Sequence, residues 1–178
     1  MDFDGILFFP VTPFTGDGTI DHELLAAHVA AGVEAGAGGV FPACGTGEFH
    51  ALSASEAAAV TRTAVAAVAG RVPVIAGAGG PLGHAIEVAR SAADAGADGL
   101  LVLPPYLVGG TQAGLAAYVE QIAEAAGLPV IVYHRGSAQY SVETVRRLAE
   151  NPRVVGFKDG TGDIGTMQLI VRAVAEEG

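Results

Sequence analysis

Short apolar runs rich in β-branched residues alternate with longer, alanine-rich segments along this chain. The apolar runs, each of the length of a buried strand, lie at residues 6–11, 39–44, 72–78, 99–104, 129–133 and 154–158. Between them, apolar residues recur at helical spacing near residues 21–35, 55–69, 84–95, 111–126, 141–150 and 164–176. This alternation predicts six βαβ-type units and a parallel sheet.

Local signals support these elements. Ser53 and Glu56 have the spacing of a capping box, and Ser141 precedes an amphipathic segment. Residues 34–40 and 94–100 share one layout, in which a helix ends, glycine follows and a strand begins. This echo indicates that the units repeat one supersecondary plan.

The number of strands leaves two architectures open. Six parallel strands can form an open, doubly wound sheet or an incomplete (β/α)8 barrel, and periodicity alone does not choose between them. A whole barrel takes roughly 250 residues, whereas this chain has 178. We therefore expect residues 1–178 to form a single α/β domain. If it is a TIM barrel, it is C-terminally truncated and has only about the first six βα units, and the candidate site residues decide between the two architectures. Such an unclosed barrel exposes two hydrophobic strand edges, which favours association or aggregation.

Composition and charge limit the kind of fold, the binding partners and the cellular location that we expect for this chain. Hydrophobic residues make up 51% of the chain, enough for one sizeable core, and Cys44 is the only cysteine, which excludes an internal disulfide. The net charge of −10 disfavours nucleic acid, because that binding depends on clustered Lys and Arg. The longest uncharged stretch, residues 99–119, is broken by prolines and glycines, so we predict no membrane span. The start of the chain lacks the pattern of a secretory signal, and we expect a cytoplasmic protein.

The candidate chemistry begins with Lys158, the only lysine, which ends the last apolar run. In a barrel, the C-terminal ends of the strands carry the active site. A lysine partly removed from water there is a nucleophilic amine that can form an imine with a carbonyl substrate. The competing interpretation is a surface lysine, or one that pairs with Asp159 or Asp163.

Tyr133 ends the preceding strand in the same way. Neighbouring parallel strands end at one edge, so we expect Tyr133 to lie near Lys158 and to shuttle protons there; packing at the rim is the alternative. Arg135 can pair with a second substrate carboxylate or form a salt bridge at the rim. His134 either donates a hydrogen bond to substrate or packs in the loop.

A glycine-rich turn follows the second strand. Gly45, Thr46 and Gly47 can present backbone N–H groups and a hydroxyl to a carboxylate, although an ordinary tight turn has the same composition. We expect Glu48 to bond the loop amides, and Cys44 to be a small buried residue rather than a nucleophile. The histidines show no ligand spacing that implies a metal, so we predict no metal site.

Four segments together resemble the N-acetylneuraminate lyase and dihydrodipicolinate synthase superfamily in order and spacing. They lie at residues 44–49, 104–106, 132–133 and 156–160. The resemblance covers essentially the whole chain and implies a TIM barrel of the class I aldolase-like type, in which Lys158 forms the imine and Tyr133 transfers protons. Tyr106 then lines the site or packs between subunits, and a homo-oligomer is implied.

Within the superfamily, residues 45–49 and 156–163 look most like the 5-dehydro-4-deoxyglucarate dehydratases. The dihydrodipicolinate synthases are less similar, since they carry a second tyrosine at the position of Leu107 and an arginine at that of Ala138. One departure concerns the dehydratases too. They usually have asparagine where this chain has His134, which leaves substrate handling there open.

This resemblance implies Schiff-base chemistry on a small 2-oxo sugar diacid. Lys158 would add to the ketone, residues 45–47 would hold the adjacent carboxylate and Arg135 the distal one. Loss of water and carbon dioxide would give 2,5-dioxopentanoate without a cofactor. Three alternatives stay open: another 2-oxo acid aldolase or dihydrodipicolinate synthase-like enzyme, a shortened chain that serves as a non-catalytic association module, and a phosphate-binding isomerase. The last usually binds phosphate after strands seven and eight.

Overall fold

Six parallel strands and six α-helices alternate along residues 3–105 and 109–175, the residues that the computed structural model describes. The strands are β1 (Ile6–Phe8), β2 (Ala37–Val40), β3 (Ile75–Ala78), β4 (Gly99–Val102), β5 (Val130–His134) and β6 (Val154–Asp159). The helices are α1 (His22–Glu34), α2 (Ala54–Val68), α3 (Leu82–Asp94), α4 (Gln112–Ala126), α5 (Val142–Ala149) and α6 (Ile164–Ala175). A short 3₁₀ turn at Phe49–Ala51 follows β2.

The strands pair in chain order. β1 pairs with β2, and β3, β4, β5 and β6 form the second part of the sheet. A parallel bridge between Val40 and Val74 joins the two parts, and the Val40 amide donates to the Pro73 carbonyl at 2.9 Å. The strands therefore follow one another in chain order, whereas the order reverses in a doubly wound sheet. The predicted six βα units of a TIM barrel are confirmed.

Prolines shorten the first three strands relative to the prediction. Pro10 and Pro42 follow the last paired residues of β1 and β2, and Pro73 precedes β3. Proline has no N–H to give to a ladder, so regular pairing stops beside it. The first and third runs contain their strands and are longer than them, whereas β2 begins at Ala37, before the run at 39–44, and ends earlier than that run.

Side-chain caps begin several helices as predicted. At the start of α2, the Ser53 hydroxyl accepts from the Glu56 amide at 3.3 Å, and the Glu56 carboxylate accepts from the Ser53 amide at 2.8 Å. The Ser141 hydroxyl accepts from the Thr144 amide at 3.2 Å before α5. The capping box is confirmed.

The core is densest at β3, β4 and β5, whose residues are all buried. Backbones approach closely beside them. A Cβ on Gly77 of β3 would lie 2.1 Å from the carbonyl oxygen of Ala43, so glycine there lets the segment after β2 pack against β3. This contact fixes the start of the glycine-rich turn.

The two outer strands are less covered. Within the described residues, β1 pairs only with β2 and β6 only with β5. Ile6 of β1 is 79% exposed, and Ile164 and Leu169 of α6 are 72% and 56% exposed. In the other outer strand, Val155 of β6 is 42% exposed, so apolar side chains are exposed in both outer strands of the described chain. No helix among the described residues is long and apolar enough to cross a membrane.

Candidate active site

Tyr133 and Lys158 lie opposite each other in the register of β5 and β6. Side chains of paired residues on neighbouring strands point to the same face of the sheet, so both enter one cavity. The Lys158 Nζ atom lies 3.9 Å from the centroid of the Tyr133 ring and 5.8 Å from that of the Phe9 ring. An amine above an aromatic face is held there by cation–π attraction when it is charged. The structure thus brings the two strand-end residues together.

The cavity around this pair measures about 330 Å³ and is open to solvent. Its walls are formed by Phe9, Gly45, Thr46, Leu101, Tyr133, Arg135 and Lys158. Sequence reasoning had singled out all of these except Phe9 and Leu101. Larger cavities, of about 470 and 570 Å³, lie along α6 and behind β5, away from the lysine. The amine, phenol and guanidinium therefore converge in the smaller cavity.

Two cations surround the Tyr133 phenol. Arg135 Nη1 donates a hydrogen bond to the phenol oxygen at 3.3 Å, and Lys158 lies over the ring. Burial raises the pKa of the Tyr133 phenol, but hydrogen bonding by Lys158 and Arg135 and their positive charges outweigh it, so the pKa is lowered overall. A phenol in this setting is suited to exchange protons beside the lysine nitrogen.

The Tyr133 ring occupies space that a side chain at residue 160 would fill. A Cβ on Gly160 would lie 2.7 Å from Tyr133 Cε2 and 3.1 Å from its phenol oxygen. Gly160 directly follows β6, and its amide donates to the carbonyl of His134 at 2.9 Å. The glycine therefore lets β6 and β5 stay paired while the tyrosine keeps its position.

The glycine-rich turn after β2 is closed by its own backbone. The amides of Glu48 and Phe49 donate to the carbonyls of Gly45 and Cys44 at 3.2 and 3.1 Å. Glu48 has a left-handed backbone with φ of 58°, a conformation that costs energy in a non-glycine residue. Glu48 therefore stabilises the turn through its backbone rather than through its carboxylate, which corrects our expectation.

The three candidate anion-binding residues of this turn fall into two groups. Gly45 and Thr46 are exposed and line the cavity. Gly47 is buried, and its carbonyl accepts from the Thr12 hydroxyl at 2.7 Å. A Cβ on Gly47 would lie 3.2 Å from backbone atoms of Ala43 and Pro10. Gly47 therefore packs behind the cavity and does not form part of its wall.

Cys44 is buried, as expected of a small core residue. Burial raises the pKa of its thiol, and the nearby charge of Lys158 opposes that shift only in part. A thiol that stays protonated is a poor nucleophile. The structure thus favours the packing interpretation of Cys44.

Arg135 and His134 point to opposite sides of the sheet. Arg135 is exposed, and its Nη1 atom is the nearest atom to a Cβ built on Gly45, at 3.9 Å, so the guanidinium lies beside the rim of the cavity. His134 is 5% exposed, and its Nδ1 atom accepts from the Tyr140 amide at 3.0 Å. Of the two interpretations of His134, the structure supports loop packing and not a hydrogen bond to substrate.

The carboxylates near Lys158 are engaged elsewhere. Asp159 accepts from the Thr161 amide at 3.0 Å and from the Gly162 amide at 2.9 Å. Hydrogen bonds from Thr161 hold the pKa of Asp159 below its usual range. Asp163 accepts from the Thr166 amide at 3.1 Å at the start of α6. Neither carboxylate is seen to form the salt bridge with Lys158 that was the competing interpretation.

Tyr106 and Leu107, which bear on the lining of the cavity and on the comparison with the synthases, lie outside the described residues. Among the residues that are described, no group of three or more His, Cys, Asp or Glu side chains is arranged to hold a metal ion.

The fold and the site define this chain as six units of a TIM barrel with a lysine and a tyrosine paired at neighbouring strand ends. The model of the dihydrodipicolinate synthetase family matches residues 2–177, and the chain belongs to that family. The family expected from the sequence motifs is therefore confirmed.

Curated relatives indicate a branch of the family. A probable 5-dehydro-4-deoxyglucarate dehydratase 1 from Streptomyces coelicolor is 54% identical over 97% of this chain and 55% of its own length. A probable 5-dehydro-4-deoxyglucarate dehydratase from Streptomyces griseus is 52% identical over 97% of this chain and 54% of its own length. The chain thus spans about half the length of these relatives. Their names agree with the closer resemblance to the dehydratases.

Solved structures match the fold closely. A dihydrodipicolinate synthase from Bacillus anthracis has a TM-score of 0.93 and 34% identity, over 99% of this chain and 62% of that chain. The chloride-inhibited dihydrodipicolinate synthase from Acinetobacter baumannii, complexed with pyruvate, has a TM-score of 0.91 and 35% identity. That match covers 98% of this chain and 61% of the other.

Proposed function

We propose that this chain carries the imine-forming site of a lyase that converts 5-dehydro-4-deoxy-D-glucarate to 2,5-dioxopentanoate, water and carbon dioxide. The observation that carries the proposal is the 3.9 Å approach of the Lys158 nitrogen to the ring of Tyr133, inside a cavity at the carboxyl ends of the strands. The names of the most similar curated relatives supply the substrate. The imine chemistry comes from the residues themselves.

The first step is the addition of the neutral Lys158 amine to the ketone at C5. Loss of water from the carbinolamine gives a protonated imine that draws electrons from the neighbouring carbons. Tyr133 can deliver and collect the protons that these steps move, because its phenol lies beside the lysine and its pKa is lowered. The positive imine also favours the phenolate form.

The imine then acts as an electron sink for two bond cleavages. Tyr133 or a substrate carboxylate removes a proton from C4, and the resulting enamine expels the C3 hydroxyl as water. The conjugated imine accepts the electron pair of the C1–C2 bond as C1 leaves as carbon dioxide. The C2 enol becomes an aldehyde as C3 gains a proton, and the enamine is protonated at C4, which restores the imine. Hydrolysis of that imine frees Lys158 and the five-carbon product.

Two anion contacts would orient the diacid. Gly45 and Thr46 line the cavity, and they are the candidates for holding the carboxylate next to the imine. Gly47 supports their turn from behind. Arg135 is the candidate for the distal carboxylate, since a guanidinium can bind a carboxylate through two hydrogen bonds. A small diacid thus fits the arrangement of positive and N–H-rich groups.

Two alternatives have support of their own. A 2-oxo acid aldolase would use the same electron sink to cleave a carbon–carbon bond, and product analysis separates it from a dehydratase. A non-catalytic association module is favoured by the exposed apolar side chains of β1 and α6. A cytoplasmic location and a homo-oligomer stay predictions of the sequence.

The test is to trap the imine. The chain is incubated with 5-dehydro-4-deoxyglucarate and borohydride, and the adduct is mapped by peptide mass spectrometry. We expect a mass increase on the Lys158 peptide and none in the Lys158→Ala chain; mapping separates this adduct from one on the N-terminal amine. Tyr133→Phe should still form the adduct, but more slowly, because the amine remains while the proton carrier is lost.

A longer chain that continues through two more βα units serves as the comparison. Trapping in the longer chain alone would mean that the chemistry is right but needs a more enclosed site than this chain provides. No adduct in either folded chain would refute the imine mechanism.

A further inference from the structure

His134 takes no part in the proposed chemistry, yet it is almost fully buried directly behind the site. It is the last residue of β5, and because successive side chains of a strand alternate between faces, it points away from the cavity that Tyr133 enters. Its ring packs against Phe157, with centroids 5.5 Å apart, and against Tyr140, at 6.2 Å. These contacts fix the orientation of the imidazole.

The segment that follows His134 is a tight turn that begins at Arg135. The Arg135 amide donates to the Ala138 carbonyl at 3.1 Å, and the Ala138 amide donates back to the Arg135 carbonyl at 3.0 Å. Gly136 within it has φ of 56°, in the left-handed region that glycine adopts readily. The backbone from which the Arg135 side chain leaves is therefore set by this turn.

One side-chain hydrogen bond ties the far end of the turn back to the strand. The Tyr140 amide donates to His134 Nδ1 at 3.0 Å, and both residues are buried. A nitrogen that accepts this bond carries no proton, so the neutral ring has its hydrogen on Nε2. A buried amide that lost its acceptor would be costly, and the turn would be expected to move in order to satisfy it.

We propose that His134 is a positioning residue for Arg135: its Nδ1 atom anchors residues 135–140 through the Tyr140 amide, and thereby sets the preference of the site for 2-oxo diacids over 2-oxo monoacids. This inference rests on the proposed function for the role of Arg135 with the distal carboxylate. It assigns His134 no contact with substrate.

A small movement of Arg135 would change what its guanidinium contacts. Its guanidinium hydrogen-bonds the Tyr133 phenol at 3.3 Å and lies beside Gly45 at the opposite rim of the cavity. The side chain is exposed and long, so its own packing restrains it weakly. Movement of its backbone would draw the guanidinium away from these two contacts and change which anions it reaches.

Three substitutions separate anchoring from simple packing. Asn places its Oδ1 atom the same number of bonds from the backbone as His Nδ1, so His134→Asn keeps an acceptor for the Tyr140 amide. His134→Gln moves the acceptor one bond further out, and His134→Ala removes it. His22→Ala is the matched control, because His22 also accepts or donates a side-chain hydrogen bond, to Thr63 at 2.8 Å, but far from the site.

The first readout is imine trapping with two acids of equal length, 2-oxoadipate and 2-oxohexanoate. We expect His134→Ala and His134→Gln to raise the concentration of 2-oxoadipate for half-maximal trapping about tenfold or more, the effect of losing a hydrogen bond to a charged group. His134→Asn and His22→Ala should stay within about twofold of the unaltered chain. The concentration of the monoacid for half-maximal trapping should be the same in all of these chains, because it has no distal carboxylate.

The second readout is the combination with Arg135→Ala. If His134 acts through Arg135, His134→Ala has no further effect on 2-oxoadipate once Arg135 is gone. Additive losses, equal losses on both acids, or a Gln variant that behaves like the Asn variant would each overturn the proposal.

Hydrogen exchange of the free protein gives an independent measurement. The Tyr140 amide should exchange faster in His134→Ala and His134→Gln than in the unaltered chain, and at an unchanged rate in His134→Asn. Trapping of neither acid by the unaltered chain would count against the proposed function. An unchanged Tyr140 exchange rate in His134→Ala would count against the anchor itself, so the two failures are distinguishable.

Discussion

The central strands β3, β4 and β5 are buried more completely than the outer strands β1 and β6. Every residue of β3, β4 and β5 is buried, whereas β1 is mostly exposed and β6 is buried only in part. The two principal site residues belong to strands that differ in burial. Tyr133 belongs to the covered β5, and Lys158 belongs to β6.

This difference shows how the site is held. The rigid core fixes the tyrosine, and the tyrosine ring in turn gives the lysine a surface to lie against, at 3.9 Å. The lysine is restrained from the β5 side by pairing and packing, while the apolar side chains of α6 beyond it are exposed. The proposed nucleophile thus lies at the border between the best and the least covered parts of the described chain.

The largest expected effect is a difference between β4 and α6 in how much a substitution lowers the free energy of unfolding. Leu100 of β4 is 0% exposed and Leu169 of α6 is 56% exposed. We expect Leu100→Ala to lower the free energy of unfolding by about 2–5 kcal/mol, because it leaves a cavity in the core. Leu169→Ala should change it by less than about 0.5 kcal/mol. Urea unfolding followed by circular dichroism measures both, and similar losses would mean that α6 is covered in solution.

A larger side chain at residue 160, directly after β6, should lower the rate of imine formation more than it lowers the stability of the fold. In Gly160→Ala, the new methyl group would lie 2.7 Å from the Tyr133 ring and displace it. Misplacement of this size can lower a rate by on the order of 100-fold, so we expect imine trapping at Lys158 to slow by about that factor. Gly83→Ala is the control, since nothing lies within 4 Å of its Cβ. Equal trapping rates in both variants would contradict the role given to Gly160.

The smallest expected effect is a change in the ionisation of Tyr133. Burial raises the pKa of Tyr140 to about 12 and raises that of Tyr118 as well, whereas the pKa of Tyr133 is lowered. Cations stabilise the phenolate, so Arg135→Gln should move the ionisation of Tyr133 to higher pH. Absorbance at the tyrosinate band, measured against pH, should show an early step that is absent in Tyr133→Phe. An early step that does not move in Arg135→Gln would contradict the pairing.

The order of elements followed from the sequence because each buried strand and amphipathic helix has its own period. Strand ends were harder to place, since Pro10 and Pro42 stop the pairing while the apolar run continues. The choice of a barrel over a doubly wound sheet needed the strand order, which periodicity does not contain. That order depends on contacts between residues far apart in the chain.

The site was predictable where reactive side chains lie near strand ends and not where apolar residues reach the cavity through the pairing of strands. Tyr133 and Lys158 lie one residue before the ends of neighbouring strands, so their meeting could be expected. Leu101 lies opposite Ile131 in the register of β4 and β5, on the face that Tyr133 enters, and Phe9 directly follows β1. No local motif in the sequence marks either residue. The burial of Gly47 likewise depends on the approach of Pro10, which is distant in sequence.

The single lysine also makes this chain convenient for chemical labelling. An amine-directed fluorophore has one ε-amine to find, at the floor of the proposed site, and otherwise only the amine at the start of the chain. A 2-oxo acid that occupies Lys158 would protect it from the reagent. The extent of labelling would then report the occupancy of the site by any ligand, including compounds that are never turned over.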